Sequence, residues 1–302
     1  MSLFALDVGG TSMKGAVLSL DLTPVSQLRL PTPHGADAAV AAVLNAVDRL
    51  LETSTFTTPS GSEDAIGLVL PGIVDDTRGV AVWAENIGWR DVPFRRLIEE
   101  RTGLPVAVGH DVRAGGVAEL RLGAATGFAN SLIMPIGTGI SGAVVIDGHL
   151  CVGGGYAGEI GHMSVGADDV CVCGGIGCLE TVASAAAVAR RFSARTGRAV
   201  TGSDEVVALV RAGDPDATAI WEQTVGYLGT ALAAATAFLA PEVIVIGGGL
   251  SEAGDLLLTP LAKELDGRLT FHRRPVLTRA HFGADAGCIG AALLARDLLE
   301  RP

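Results

Sequence analysis

Two stretches of this chain follow one plan, and that repetition constrains the fold more than any other feature. Near the start, the apolar run at 3–8 breaks at Asp7-Val8-Gly9-Gly10-Thr11 and resumes at Lys14-Gly15-Ala16-Val17-Leu18. Midway, the run at 131–136 breaks at Gly137-Thr138-Gly139-Ile140-Ser141-Gly142 and resumes at 143–146. Each reads as strand, glycine turn and returning strand. Strands and helices of similar length follow both, which predicts an internally duplicated α/β plan. A glycine tip leaves bare backbone N–H groups that can approach an anion, though an ordinary hairpin has the same sequence. With 302 residues the chain is long enough for two domains or one large one.

A second constraint lies at 158–180. The stretch opens Gly158-Glu159-Ile160-Gly161-His162 and closes Cys171-Val172-Cys173-Gly174-Gly175-Ile176-Gly177-Cys178-Leu179-Glu180. One histidine and three cysteines make the four-ligand set of a closed, structural Zn²⁺ site, with no position left for a catalytic water. The metal would also fix two acceptors, Glu159 and Glu180, that bracket the knot. A metal-free cysteine-rich loop and a disulfide are the other readings, the disulfide disfavoured in a reducing compartment. Cys151 and Cys288 read as small buried side chains.

The remaining pattern is an alternation of short apolar strands and amphipathic helices. Strands are predicted at 65–70, 105–108 and 242–246, and helices at 36–51, 94–101, from Asp111 to about 122, 181–196, 204–212, 216–240 and about 285–299. Residues 53–64 read as a solvent loop, and a further loop carries Asn86, Trp89 and Asp91. Asp111 follows a buried strand at Gly109-His110-Asp111 and opens a helix, so it is either an N-cap or a group facing a ligand crevice. Gly247-Gly248-Gly249 ends a strand and opens a helix at Ser251, a shape against which a nucleotide can lie.

Composition excludes several classes. The 22 basic against 33 acidic residues give a net charge of −11, which argues against a nucleic-acid surface. The N-terminal residues lack the basic segment of a signal peptide. The uncharged stretch 223–241 is built from small residues and reads as a buried helix, with no membrane span expected. A cytoplasmic protein is the expectation.

Taken in order, these motifs resemble the ROK sugar kinases (repressors, uncharacterised frames and kinases) within the actin/hexokinase/Hsp70-like ATPase fold. The resemblance rests on the Asp7–Thr11 turn, the Gly137-Thr138-Gly139 turn, Glu159-Ile160-Gly161-His162, the Cys171/Cys173/Cys178 cluster with Glu180, and Gly247–Gly249, and it covers nearly the whole chain. It implies an α/β fold of two actin-like (ribonuclease H-like) domains flanking a cleft: 1–117, joined by a C-terminal helix at about 286–302, and 118–285, carrying the zinc-binding loop. It further implies an ATP-dependent, glucokinase-like enzyme that phosphorylates a hexose at the 6-hydroxyl.

In that pattern Asp111 is the general base. His110, Asp111, Glu159, His162, Glu180 and Asn86 bind the sugar, and Asp7, Gly9, Gly10, Thr11, Lys14, Gly137, Thr138, Gly139, Gly247, Gly248 and Gly249 bind ATP with Mg²⁺. His162, Cys171, Cys173 and Cys178 hold a structural Zn²⁺ that shapes the sugar pocket, and a homodimer is expected. The chain departs from the pattern at His110, where glucose-type members carry Asn, and at Ser141, where glycine is common. The acceptor is therefore left open among glucose, N-acetylmannosamine, N-acetylglucosamine, mannose, fructose and allose, and polyphosphate could replace ATP as donor. A sugar-sensing regulator of the same family is the alternative. It is disfavoured because no DNA-binding module precedes Asp7 in this sequence.

Overall fold

A computed structural model describes residues 1–53, 64–85 and 87–300. Nearly all of the expected solvent loop at 53–64 lies outside the described residues, as does Asn86. The described residues gather into two compact units.

The first unit comprises Met1–Ala118, Val152–Tyr156 and the chain from Asp285 onward. Its elements begin with β1 (Leu3–Val8), β2 (Ser12–Leu18), β3 (Pro24–Pro31), α1 (Ala36–Thr53) and β4 (Ala65–Leu70). A small antiparallel sheet of β5 (Ile73–Asp75), β6 (Val80–Ala84) and β7 (Trp89–Val92) follows. Then come α2 (Phe94–Thr102), β8 (Val106–His110) and α3 (Asp111–Leu122). The main sheet has the order β3-β2-β1-β4-β8, with β1 to β3 antiparallel and β4 and β8 parallel to β1.

All six residues of β4 are buried because the sheet is covered on both faces, which is why the strand reads as one apolar run. Val43, Val47 and Leu50 of α1 share a core with Leu6 and Leu68. Ala291, Ala292 and Ala295 of the C-terminal helix (Ala286–Leu299) share another with Ala5, Ala65 and Val69. That helix lies directly on the strand backbone: a Cβ on Gly67 would stand 1.8 Å from the Ala291 carbonyl oxygen.

The second unit comprises Glu119–Cys151 and Ala157–Ala284. It contains β9 (Ser131–Pro135), β10 (Ala143–Ile146) and β11 (His149–Leu150), then α4 (Leu179–Ala183), α5 (Ala185–Thr196), α6 (Ser203–Arg211) and α7 (Pro215–Leu239). It closes with β12 (Val243–Gly247), α8 (Asp255–Arg268) and β13 (Val276–Arg279). The strand order β11-β10-β9-β12-β13 repeats that of the first unit, again a three-stranded meander followed by two parallel strands. The duplication read from the glycine turns is therefore a duplication of topology.

Two helices differ from expectation. The helix expected over 181–196 breaks at Ser184, whose backbone is extended and whose hydroxyl accepts the Ala187 N–H, capping α5. The helix expected at Ser251 is a 3₁₀ turn over Gly249–Ala253, and α8 begins only at Asp255. The small-residue stretch sits in α7, which starts on an Asp214 cap followed by Pro215 and buries Leu228, Ala231, Leu232 and Ala235 in the core. Among the described residues no helix is long and apolar enough to cross a membrane.

Candidate active site

In the first unit, the turn between β1 and β2 brings Asp7, Gly9, Gly10, Thr11 and Lys14 onto one hairpin. The Gly9 N–H donates to the Ser12 carbonyl at 3.0 Å, and the Thr32 hydroxyl donates to the Gly9 carbonyl at 2.7 Å, so β3 braces the tip. Asp7 and Lys14 are opposite one another in the ladder. Burial pushes the Asp7 carboxyl up to about 6, against the pull of Lys14 and with a further push from Asp285. The start of the C-terminal helix crowds this carboxylate, since a Cβ on Gly287 would lie 2.4 Å from Oδ2.

Asp111 sits where β8 ends and α3 starts, at the carboxyl end of a parallel strand. Its Oδ1 accepts the Val112 N–H at 2.7 Å, and its side chain is 26% exposed. The contact sits at the first turn of α3 and leaves the carboxylate partly exposed. The buried His110 imidazole approaches Oδ1 with Nδ1 at 3.4 Å. That contact is not an ion pair, because burial and then the Arg113 charge drive the imidazole pKa down to about 3. Nδ1 accepts the Arg113 backbone N–H at 3.4 Å, so the proton of the neutral ring is on Nε2.

In the second unit, the structure joins the second glycine turn to both ends of the cysteine knot. Glu180 Oε2 accepts the Ile140 N–H at 2.9 Å, and a Cβ on Gly139 would stand 2.3 Å from that oxygen. Gly158 and Gly161 pack against the Gly142 and Ile140 carbonyls so closely that added Cβ atoms would lie 1.9 and 2.0 Å away. Gly137, Thr138 and Gly139 also adjoin Gly247, Gly248 and Gly249. The Ile136 N–H donates to the Gly247 carbonyl at 2.9 Å, and the Leu250 N–H to the Ile136 carbonyl at 3.0 Å. Gly248 has φ 73°, and a Cβ there would meet the Ile136 backbone at 2.5 Å. Two glycine turns thus share the carboxyl ends of the parallel strands β9 and β12, the end of an α/β sheet where ligands bind.

The ligating atoms of His162, Cys171, Cys173 and Cys178 all lie within 4.8 Å of one another. Cys173 and Cys178 sulfurs are 3.6 Å apart, and Cys171 Sγ is 3.7 Å from His162 Nδ1. Around a tetrahedral ion with bonds of ~2.3 Å, neighbouring sulfurs stand about 3.8 Å apart, so the spacing suits zinc. His162 Nε2 turns toward Glu159 Oε2 at 3.9 Å, the outer carboxylate such a histidine ligand uses. The Gly175 N–H and the neighbouring thiols push Cys173 down to about 7, whereas burial pushes Cys178 up to about 12. Such a set ionises together only around a cation.

Sequence reasoning missed Arg113 and Asp76. Arg113 is buried two positions past Asp111, and its guanidinium reaches Asp76 Oδ1 at 2.8 Å. The one local signal was a charged residue opening a helix of small residues, Arg113-Ala114-Gly115-Gly116.

Compared with known proteins, the chain matches the ROK family over residues 3–298. It is 36% identical over 316 residues to a glucokinase of Halalkalibacterium halodurans, with 97% of this chain and 94% of that one covered. Among solved structures it is similar to a ROK family glucokinase from Streptomyces griseus in complex with glucose and AMPPNP, at TM-score 0.85 and 31% identity, covering 98% and 100% of the two chains. A ROK hexokinase from Thermus thermophilus matches at TM-score 0.83 and 36% identity, covering 99% of each chain.

Proposed function

The chain belongs to the ROK family and is a sugar kinase, and from that footing we propose that it transfers the γ-phosphoryl group of ATP to the 6-hydroxyl of a hexose, with Asp111 as general base. What supports the reading most is likeness along the whole chain to a glucokinase crystallised with glucose and AMPPNP, an ATP analogue. Glucose is accordingly the acceptor we favour.

In this mechanism the Asp111 carboxylate takes the proton of the sugar hydroxyl as its oxygen bonds the γ-phosphorus, and the bond from that phosphorus to the β,γ-bridging oxygen breaks to release ADP. The turns at Gly9, Gly10 and Thr11 and at Gly137, Thr138 and Gly139 offer backbone N–H groups to the phosphates, with Lys14 alongside. Gly247, Gly248 and Gly249 give adenosine a surface without side chains. Asp7 would hold Mg²⁺, which when bound offsets charge on the transferring phosphoryl. Sugar hydroxyls are bound by His110, Glu159, His162, Glu180 and Asn86. His162, Cys171, Cys173 and Cys178 would hold Zn²⁺, which when bound keeps Glu159 and Glu180 in register and takes no part in the chemistry. A cytoplasmic homodimer belongs to the same reading.

The test is Asp111→Asn in a coupled ADP-release assay over hexoses and N-acetylhexosamines, with sugar binding followed by calorimetry. Turnover should fall by about a thousandfold while sugar still binds. Retention of about a tenth of the activity or more would remove Asp111 as the base. A wild-type chain that consumes ATP with none of these sugars would remove the hexose kinase reading.

A further inference from the structure

Arg113 lies in the first turn of α3, and only 3% of its side chain is exposed. Its guanidinium bonds within the first unit. Nη2 donates to Asp76 Oδ1 at 2.8 Å and to the Val74 carbonyl at 3.4 Å, and Nη1 donates to the Gly155 carbonyl at 3.2 Å. Asp76 follows β5 directly. Gly155 belongs to Val152–Tyr156, the segment that runs on into Gly158-Glu159. A buried guanidinium spread over one carboxylate and two carbonyls is a fixed geometry that an ammonium could not reproduce. Through its backbone N–H the same residue holds His110 Nδ1, itself 3.4 Å from Asp111 Oδ1.

We propose that Arg113, anchored by Asp76, is a positioning residue for phosphoryl transfer that holds His110 as the neutral Nε2–H tautomer and thereby keeps the Asp111 carboxylate open to the substrate proton. The proposal deepens the assignment of Asp111 as base and rests on it. Were His110 protonated, its Nδ1–H would donate to Oδ1 and weaken the carboxylate as a proton acceptor. Burial of the imidazole opposes that protonation first, and the Arg113 charge opposes it second. Among the described residues, the charged groups facing this cluster include Asp111 and Arg113, and Arg113 is in turn faced by Asp76, which has Asp75 and Arg95 beside it. Asp76 therefore tempers the Arg113 charge, and the two residues push the cluster in opposite directions.

The experiment compares Arg113→Met, Arg113→Lys and Asp76→Asn in the full chain, reading kcat, KM, the acid limb of the kcat/KM profile and thermal melting. In Arg113→Met, kcat should fall about tenfold or more. Its acid limb should also move to higher pH by roughly half a unit or more, because the His110 imidazole beside Asp111 loses the positive charge that opposes its protonation. In Asp76→Asn the limb should move to lower pH, the Arg113 charge being uncompensated. Arg113→Lys keeps the charge and should return the limb to its wild-type position, while kcat recovers only in part without the planar fork. An unmoved limb in the Met variant, or shifts of one sign in Met and Asp76→Asn, overturns the proposal. Should Arg113→Met fail to fold, Asp76→Asn decides alone, an unmoved limb being the adverse result. An active Asp111→Asn removes the base and this proposal together. An inactive one, alongside unmoved limbs, removes only the role of Arg113.

Discussion

Asp7 shows what burying a carboxylate costs. Its carboxyl is held up near 6 by burial, with Asp285 adding to the push and Lys14 opposing it. The unfolded chain releases this proton near 3.8 and the folded chain near 6, so the native state binds more protons between those values. Stability from this group is therefore present in acid and is lost as pH rises through about 6, on the order of 3 kcal/mol. Asp7→Asn should remove that loss. The melting temperature of the variant should draw level with wild type near pH 4 and exceed it by pH 7, while the affinity for Mg²⁺ and ATP falls. Equal pH dependence in the two proteins would contradict the account.

Among the elements, the seam between β4 and the C-terminal helix is where backbone meets backbone. Gly67 leaves no room for a methyl group against the Ala291 carbonyl, and Gly290 leaves none against the backbone of Ala114. Gly67→Ala should force the helix off the sheet and cost about 2–3 kcal/mol, read as a lowered urea midpoint. An unchanged midpoint would mean that the helix shifts at no expense. The strands under such seams were legible in the sequence because burial on both faces makes them unbroken apolar runs. By contrast, β3 alternates between exposed and half-buried residues between two prolines, the composition of an edge strand, and β5 has only three residues. Neither carries a period strong enough to stand out. The break at Ser184 is a tertiary effect: the Ala185 N–H donates to the Gly137 carbonyl at 2.8 Å, a partner no local pattern reveals. The site divides the same way. The glycine turns, the knot and Asp111 are local motifs, whereas Arg113 acquires its setting from Gly155, forty-two positions along the chain.

For the whole molecule, each unit has cores of its own. One centres on Leu228, Leu232, Ile244 and Ile246, and the others on Leu6, Leu68 and Trp89 and on Val69 and Ala291. Two units with separate cores should melt in two calorimetric steps, outside the two-state approximation. Chelation of the proposed zinc, or Cys173→Ser with its loss checked by elemental analysis, should lower the step belonging to the second unit alone, whereas Gly67→Ala should lower the other. A single step moved equally by both changes would refute this division. The chain does not finish its units in the order in which it starts them. β1 and β4 are made early, but the alanines that close their core belong to the C-terminal helix. During synthesis the second unit, complete by Ala284, can fold while the first still waits, so that β1 and β4, made well before it, gain their last shelter from water after it.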